Sequence, residues 1–323
     1  MDQLSPEKYF SIHSLFSHIP YSQSEDWYNY LVARGENVVF YCNREDQPSI
    51  AFMGRIKKVP LVGRILIVEG ELISNEISNE TITDFYSEVV KLPYAGIEIN
   101  SNNEYSIEFE VGIRRSGFMR PIGLSSCPLS IIVDLSNDLK YNRNWKYNYN
   151  KAIKAELLFD EVTHPELSDL QLFSDMYSEL ASRKNLGYKL NPKALLSLVN
   201  GPNMRLFSVM TKEKVVVASN IIYVRGIHSY DIFASNSNLS WENGATRFIV
   251  QKIFEVLKSE GVTVFDFGRI PPSTHGSDGV YKFKNSVKGT KIQYNGEWSF
   301  YQKNLKEQLV YLGKHFIAKT QRY

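Results

Sequence analysis

Two short stretches, Phe-Asp-Phe-Gly-Arg at residues 265–269 and Gly-Val-Tyr-Lys-Phe-Lys at residues 279–284, decide how this chain is interpreted. The apolar run Val262–Phe267 predicts a buried strand. Gly268 ends that strand, because glycine lets a backbone turn sharply or approach a ligand closely. Arg269 follows at the strand end, where ligand clefts form in mixed sheets. We therefore predict that this region forms one wall of an active-site cleft.

The second stretch returns from a loop that is rich in glycine and serine, residues 271–279. Residues 280–284 alternate in character, which predicts a short strand. In such a strand Tyr281 and Phe283 share one face, and Lys282 and Lys284 share the other.

The elements around these stretches follow a recognisable order. An antiparallel meander precedes them, a polar loop and an amphipathic helix follow the meander, and a strand and a helix close the chain. The predicted bounds are Met204–Met210, Val215–Val224 and Ile227–Ser235 for the meander, Asn236–Gly244 for the loop, Ala245–Ser259 for the helix, Lys291–Phe300 for the last strand and Leu305–Ala318 for the last helix.

The first half of the chain carries a weaker version of the same order. A helix is predicted after the capping residue Ser24, and another over Ile77–Leu92. Strands are predicted at Val38–Tyr41, Ile50–Met53, Ile65–Val68, Gly96–Ile99 and Tyr105–Ile113. Ser130–Leu135 is a further strand, and a long polar helix spans about Asp138–Glu156. We therefore predict an α/β (α+β) fold of two domains, residues 1–136 and 137–323, each a mixed, mostly antiparallel sheet flanked by helices. The last helix could pack back on the first domain.

Composition excludes several classes of protein. The chain has 323 residues with a net charge of +2, so no global field draws it to nucleic acid or a membrane. Two cysteines without a Cys/His cluster give neither a disulfide framework nor a zinc spacing, so we predict reduced thiols and no metal site. The N-terminus has no apolar signal segment, and no window approaches about 18 apolar residues. We therefore expect no transmembrane segment and a cytoplasmic location.

Phe265–Arg269 and Gly279–Lys284, with the helix before them and the strand after them, resemble the FemABX family of GNAT-fold aminoacyltransferases, which build peptidoglycan interpeptide bridges. The resemblance covers residues 236–300 well and residues 140–323 more loosely. It implies two GNAT-like domains, the second of them catalytic. The implied reaction is amide formation, in which an amine of a cell-wall or surface-glycan precursor attacks an aminoacyl or acyl group. No tightly bound cofactor is implied, and the acyl donor would be aminoacyl-tRNA or acyl-CoA.

The resemblance also suggests residue roles. Lys284 ends the Tyr-x-Phe-Lys motif, so it matches the family position that contacts the acyl donor. Asp266 is a candidate orienter or base, although it could equally cap the backbone or pair with Arg269. Arg269 would bind an anionic substrate, and the remaining predicted substrate contacts are Gly268, Tyr281, Lys282, Arg143, Lys146 and Tyr223. Arg143 and Lys146 belong to the basic, aromatic-rich helix, which could contact phosphates or form a solvated face.

One departure bears on the donor. GNAT enzymes that use coenzyme A bind its pyrophosphate at a glycine-rich loop before a helix N-terminus. The corresponding segment here, Ser240–Arg247, has one glycine, carries Glu242 and lacks a basic residue before Gly244. Two alternatives to the predicted function stay open: an acyl-CoA-dependent N-acetyltransferase acting on an amino sugar or amino acid, and a non-catalytic relative that binds tRNA or a precursor. A hairpin with Lys57 and Lys58 at its tip could help to hold a nucleotide-linked precursor or carry exposed charge only.

Overall fold

The computed structural model describes residues 1–121, 128–184, 189–270 and 278–320. Most of the loop at residues 271–279, and Cys127, lie outside this range. The strands are β1 Asp2–Leu4, β2 Asn37–Cys42, β3 Ile50–Val59, β4 Gly63–Glu69, β5 Leu72–Ile73, β6 Gly96–Glu104, β7 Leu129–Asp134, β8 Leu158–Val162, β9 Met204–Met210, β10 Val216–Arg225, β11 His228–Asn236, β12 Val264–Asp266 and β13 Thr290–Tyr301. The α-helices are α1 Pro6–Ser11, α2 Glu25–Ala33, α3 Asn79–Val89, α4 Ile107–Arg115, α5 Arg143–Lys154, α6 Leu167–Lys184, α7 Pro192–Val199, α8 Leu239–Asn243, α9 Ala245–Ser259, α10 Asp278–Lys284 and α11 Asn304–Thr320.

The chain forms two compact units, of which the first comprises Met1–Pro128 with Gln293–Tyr323 and the second comprises Leu129–Ile292. This division differs from the predicted boundary after residue 136. Most of β13 joins the first unit because it pairs with β6, from Tyr294 opposite Glu104 to Tyr301 opposite Gly96. The strand β7 joins the second unit because it pairs with β12.

The first unit is built on a sheet with the strand order β1-β2-β3-β4-β6-β13, and β5 pairs with β3. Its neighbours are antiparallel except β4 and β6, which run parallel from Ile65 opposite Gly96 to Glu69 opposite Asn100. The helices α3 and α4 cover one face, where Phe85, Tyr86 and Phe109 are buried. The parallel pairing with β6 covers Ile65–Glu69 of β4.

The side chain of Gln23 lies between β3 and β4, at the point where the two strands separate. The β3–β4 ladder stops at Gly54 opposite Val68, and beyond it Gln23 Nε2 donates to the Met53 carbonyl at 3.1 Å and the Glu69 carbonyl at 2.9 Å. Gln23 Oε1 accepts from the Met53 N–H at 2.5 Å. Gln23 is fully buried, and its amide group forms hydrogen bonds with the backbone of both strands where they no longer pair with each other.

The second unit has the strand order β7-β12-β11-β10-β9-β8. Among the described strand pairs of this unit, only β11 and β12 run parallel, and the predicted meander is confirmed as β9–β11. The helix α9 matches its predicted bounds and buries Phe248, Ile253 and Leu257 against the sheet. α5 packs on it through Trp145, whose ring lies between Tyr141, Phe283 and the core.

Three local predictions are wrong. Tyr105–Ile113 was expected to be a strand, but residues 107–115 form α4 because Ser106 caps the Phe109 N–H at 3.0 Å and Phe109 and Ile113 fall on one helical face. Val280–Lys284 belongs to the helix α10. The polar loop after the meander contains the short helix α8.

Candidate active site

The parallel strands β11 and β12 separate after only three residue pairs. His228, Ser229 and Tyr230 lie opposite Val264, Phe265 and Asp266, and there the pairing ends. Beyond it the chain follows β7, because the Phe267 N–H donates to the Ile131 carbonyl at 3.2 Å and the Ile270 N–H to the Leu129 carbonyl at 2.8 Å. The strand β11 continues to Asn236 along β10. The hydrogen-bond ladder of the two strands therefore has a gap, with Asp231 on one side of it and the turn at Gly268 on the other.

The turn at the gap is held by Asp266. Its Oδ1 accepts from the Gly268 N–H at 2.7 Å and from the Ser130 hydroxyl at 2.5 Å. Gly268 has a φ of +70°, which favours glycine, and a Cβ there would lie 3.6 Å from the Asp231 carbonyl oxygen. Asp266 is buried, so these contacts are those of a backbone cap. The predicted catalytic role of Asp266 stays a prediction, and its geometry supports positioning of the turn.

Lys284 reaches the same turn from α10. Its Nζ donates to the carbonyl of Phe267, to that of Gly268 at 3.3 Å and to that of Arg269 at 3.4 Å. Lys284 follows Phe283 at the end of α10. The Phe283 ring stacks on the Trp145 ring, with 5.5 Å between their centroids. Packing of that ring thus fixes where the ammonium group lies, and a positive charge is held at the end of β12.

Asp231 faces this positive charge from β11. It is half-buried, and the buried Asn220 on β10 donates to its Oδ1 at 3.1 Å. Burial raises the pKa of the Asp231 carboxyl, the positive charge of Lys284 and the Asn220 hydrogen bond act to lower it, and the negative charge of Asp266 raises it further. The net effect is a raised pKa, and a raised pKa makes the carboxylate a stronger proton acceptor.

The other predicted residues lie at different distances from this cluster. Arg269 follows the turn and is half-buried, and its backbone carbonyl accepts from Lys284. Tyr281 is half-buried and packs on the core, with Lys291 Nζ 6.0 Å from its ring centroid, while Lys282 on the same helix is exposed.

Three further predicted substrate contacts lie on the neighbouring elements α5 and β10. Arg143 and Lys146 are exposed on α5, and no described contact joins them to Asp231 or Lys284. Tyr223 has a relative exposure of 0% and its ring centroid lies 6.1 Å from that of Tyr230. Burial of Tyr223 in the sheet argues against a substrate contact.

Residues of α5 and α8 pack against the N-terminus of α9. Gly244 precedes it with a φ of +78°, and a Cβ on Gly244 would lie 2.1 Å from the Asn148 carbonyl oxygen, so α5 packs directly against this end. The Ala245 N–H donates to Asn243 Oδ1 at 3.1 Å. Arg247, one turn later, has its guanidinium 5.3 Å from the Phe283 ring centroid. The first turn of α9 therefore offers little room for a pyrophosphate.

Asp231, Asn220 and Ser130 are not among the site residues predicted from the sequence. A signal for Asp231 was present, because it is a lone acidic residue in the apolar run Tyr230-Asp231-Ile232-Phe233 of a strand. Ile232 is bulged out of the β10–β11 ladder, since Ile221 lies opposite Phe233 and Ile222 opposite Asp231. A bulge of this kind re-aims side chains and is common beside active sites.

Comparison with known proteins defines the fold. No family model and no curated protein matches the chain. A tandem GNAT protein from the clavulanic acid biosynthesis pathway is similar over 91% of this chain and 93% of its own, with 8% identity and a TM-score of 0.53. The chain thus has a tandem GNAT fold with two GNAT-like domains.

Within that class the arrangement is FemX-like. FemX is similar over 96% of this chain and 100% of its own, with 12% identity and a TM-score of 0.76. L-PGS from Bacillus licheniformis is similar over 96% and 97%, with 17% identity and a TM-score of 0.61. The FemABX resemblance and the predicted fold class are therefore confirmed at the level of the fold. No helix among the described residues is long and apolar enough to cross a membrane.

Proposed function

We propose that the chain is an N-acyltransferase that forms an amide by transferring an aminoacyl or acyl group to an amine of a cell-wall or surface-glycan precursor. The observation that carries the proposal is the gap between β11 and β12, with Asp231 and Lys284 at its edge. The similarity to FemX and to a tandem GNAT protein supports it, because those folds host acyl transfer in the family that the motif resembles.

The proposed chemistry assigns one role to each charge. The lone pair of the neutral amine adds to the acyl carbonyl carbon, and Asp231 accepts the proton that the nitrogen then loses. Lys284 stabilises the negative charge that develops on the carbonyl oxygen. When the tetrahedral intermediate collapses, the bond to the leaving oxygen or sulfur breaks, and the proton held by Asp231 is returned to that atom. Asp266 and Ser130 hold the turn that positions these groups.

The closed end of α9 bears on the acyl donor. A donor with a pyrophosphate would need free backbone N–H groups at that helix terminus, where Asn148 and Asn243 already pack. We therefore propose aminoacyl-tRNA as the favoured acyl donor and acyl-CoA as the alternative donor. A titration with acetyl-CoA separates the two donors: tight binding would reverse this order.

The experiment that tests the proposal combines two labelled donors with a panel of amines. The chain is incubated with radiolabelled aminoacyl-tRNA or acetyl-CoA and with nucleotide-linked muropeptides, amino sugars or amino acids, and labelled amide is measured. We expect amide with one donor class, and a large loss in Lys284→Met and Asp231→Asn. Turnover that both substitutions leave unchanged would refute the site. A donor that binds without turnover on any acceptor would favour the non-catalytic alternative.

A further inference from the structure

The C-terminal helix α11 carries an exposed leucine stripe. Leu305, Leu309 and Leu312 recur at spacings of four and three residues, which places them on one side of the helix. Their relative exposures are 68%, 39% and 52%. Single exposed leucines are ordinary on a protein surface, but three aligned on one helical face form a patch.

The opposite side of α11 explains why the stripe is exposed. Val310 packs against the small cluster of Val62, Ile65 and Ala95 in the first unit. Lys314 Nζ donates to Glu98 Oε1 at 2.6 Å, which holds the same side of the helix to β6. The helix is therefore docked through one face, and its leucine face points away from the sheet that supports it.

The β3–β4 hairpin lies beside the start of this helix. A Cβ on Gly63 would lie 4.0 Å from Lys306 Nζ, and Val62 lies under Val310. At the hairpin tip Leu61 has a relative exposure of 91% and a φ of +64°. That backbone conformation is costly for a leucine, so the hairpin presents an apolar tip at an energetic cost to the fold.

Positive charge surrounds these apolar groups. Residues 57–64 and 303–309 carry five basic side chains and one acidic side chain, Glu307, for a local charge of +4 in a chain whose net charge is +2. None of the five forms an ion pair with a carboxylate in the described part of the chain. They are Lys57, Lys58, Arg64, Lys303 and Lys306.

We propose that the leucine stripe of α11 and the β3–β4 hairpin form a docking surface for an anionic lipid bilayer. Leucines among lysines suit such a surface, because the apolar groups enter the interfacial region while the cations meet lipid phosphates. A second copy of the chain fits less well, since symmetric contact through this patch would oppose like charges. Nucleic acid would satisfy the cations but would leave the leucines exposed.

The test measures binding of the full chain to lipid vesicles by flotation. Vesicles of phosphatidylcholine alone are compared with vesicles that also contain phosphatidylglycerol, at low and high salt. We expect binding to the anionic vesicles only, weakened by salt. Combined substitution of Leu305, Leu309 and Leu312 by glutamine should weaken it roughly tenfold or more. Combined Lys57→Gln and Lys58→Gln should weaken it roughly thirtyfold, at ~1 kcal/mol per charge.

Matched controls keep the outcomes distinct. Leu158, Leu167 and Leu172 are similarly exposed on the second unit, with relative exposures of 38%, 42% and 42%, and their joint substitution by glutamine should leave vesicle binding unchanged. Circular dichroism and thermal midpoints establish that each variant is folded. The proposal is overturned if the chain binds no vesicles, or if the α11 variant binds as tightly as the parent. A dimer in light scattering that the α11 variant disrupts, without vesicle binding, assigns the patch to a second copy instead.

Discussion

Asp231→Asn separates the chemistry of the site from its architecture. An asparagine has the same shape, and its Oδ1 can accept the 3.1 Å hydrogen bond from Asn220 as the carboxylate does. The substitution therefore keeps a partner for the Asn220 amide, removes the negative charge and the capacity to take a proton, and replaces Oδ2 with an NH2 donor. General acid–base groups contribute about 10²–10⁴ in rate. We expect turnover to fall by that factor, which corresponds to about 3–5 kcal/mol of transition-state stabilisation.

The free energy of unfolding of the same variant should rise relative to the parent at neutral pH, although its turnover falls. Burial raises the pKa of Asp231, so folding favours its protonated form. The stabilising contribution of that form is fully present below the unfolded-state pKa, and it is lost as the pH rises through the folded-state pKa. Asparagine stays neutral throughout. The variant should therefore match the parent at low pH and become the more stable of the two as the pH rises.

Two measurements on the same protein samples check this reasoning. Initial rates of amide formation across a pH series should show the parent losing activity as Asp231 is protonated, at a pH above the ordinary aspartate pKa of about 3.9. Urea unfolding at low and neutral pH gives the stability difference. Asp160→Asn, an exposed carboxylate on β8, serves as the control and should change neither quantity. If Asp231→Asn retains full turnover, or loses stability at neutral pH, Asp231 is not the base that we describe.

Three further substitutions test the supports of the site. Lys284→Met should lower turnover by about 10²–10³ and also the midpoint of thermal unfolding, because three backbone carbonyls lose their shared donor; an unchanged initial rate would contradict the proposed oxyanion role. Gly244→Ala places a Cβ 2.1 Å from the Asn148 carbonyl oxygen at a φ of +78°, so urea titration should show a loss of about 3 kcal/mol or more. Gln23→Leu should cost at least about 3 kcal/mol by the same titration, since it leaves the Met53 N–H and several carbonyls unpaired, yet turnover per folded molecule should persist.

The elements that the sequence predicts best are those with long, bounded periodicity. The helix α9 is predicted to the residue because its apolar face repeats over four turns and Gly244 and Gly261 bound it. The meander is equally clear from its β-branched strands. Short segments fail for a physical reason: the alternation of Ile107-Glu108-Phe109-Glu110 fits a strand, whereas Phe109 and Ile113, four residues apart, fit the buried face of a helix. The Ser106 cap decides between the two.

The site was predictable in part. The motif placed Gly268, Arg269 and Lys284 near one another, and the structure joins them through hydrogen bonds of the Lys284 ammonium. The conformation of residues 280–284 was not predictable, because it depends on stacking of Phe283 on Trp145, more than a hundred residues away in sequence. The sequence marks Asp231 only as a lone acidic residue in an apolar strand, and its position facing Lys284 follows from the separation of β11 from β12.

The two GNAT-like units differ at the place where their strands diverge, and this difference supports our proposal that the chemistry takes place in the second unit. In the first unit, β4 stays paired with β6 over five residues, and the split between β3 and β4 is closed by buried Gln23. In the second unit, pairing of β11 with β12 stops after three residues, and the gap meets Asp231 and Lys284. Because Gln23 binds the backbone N–H and C=O groups between β3 and β4, these groups are not available to bind a substrate. In our proposal the first unit instead carries the membrane-docking surface, which its exposed leucines and lysines form.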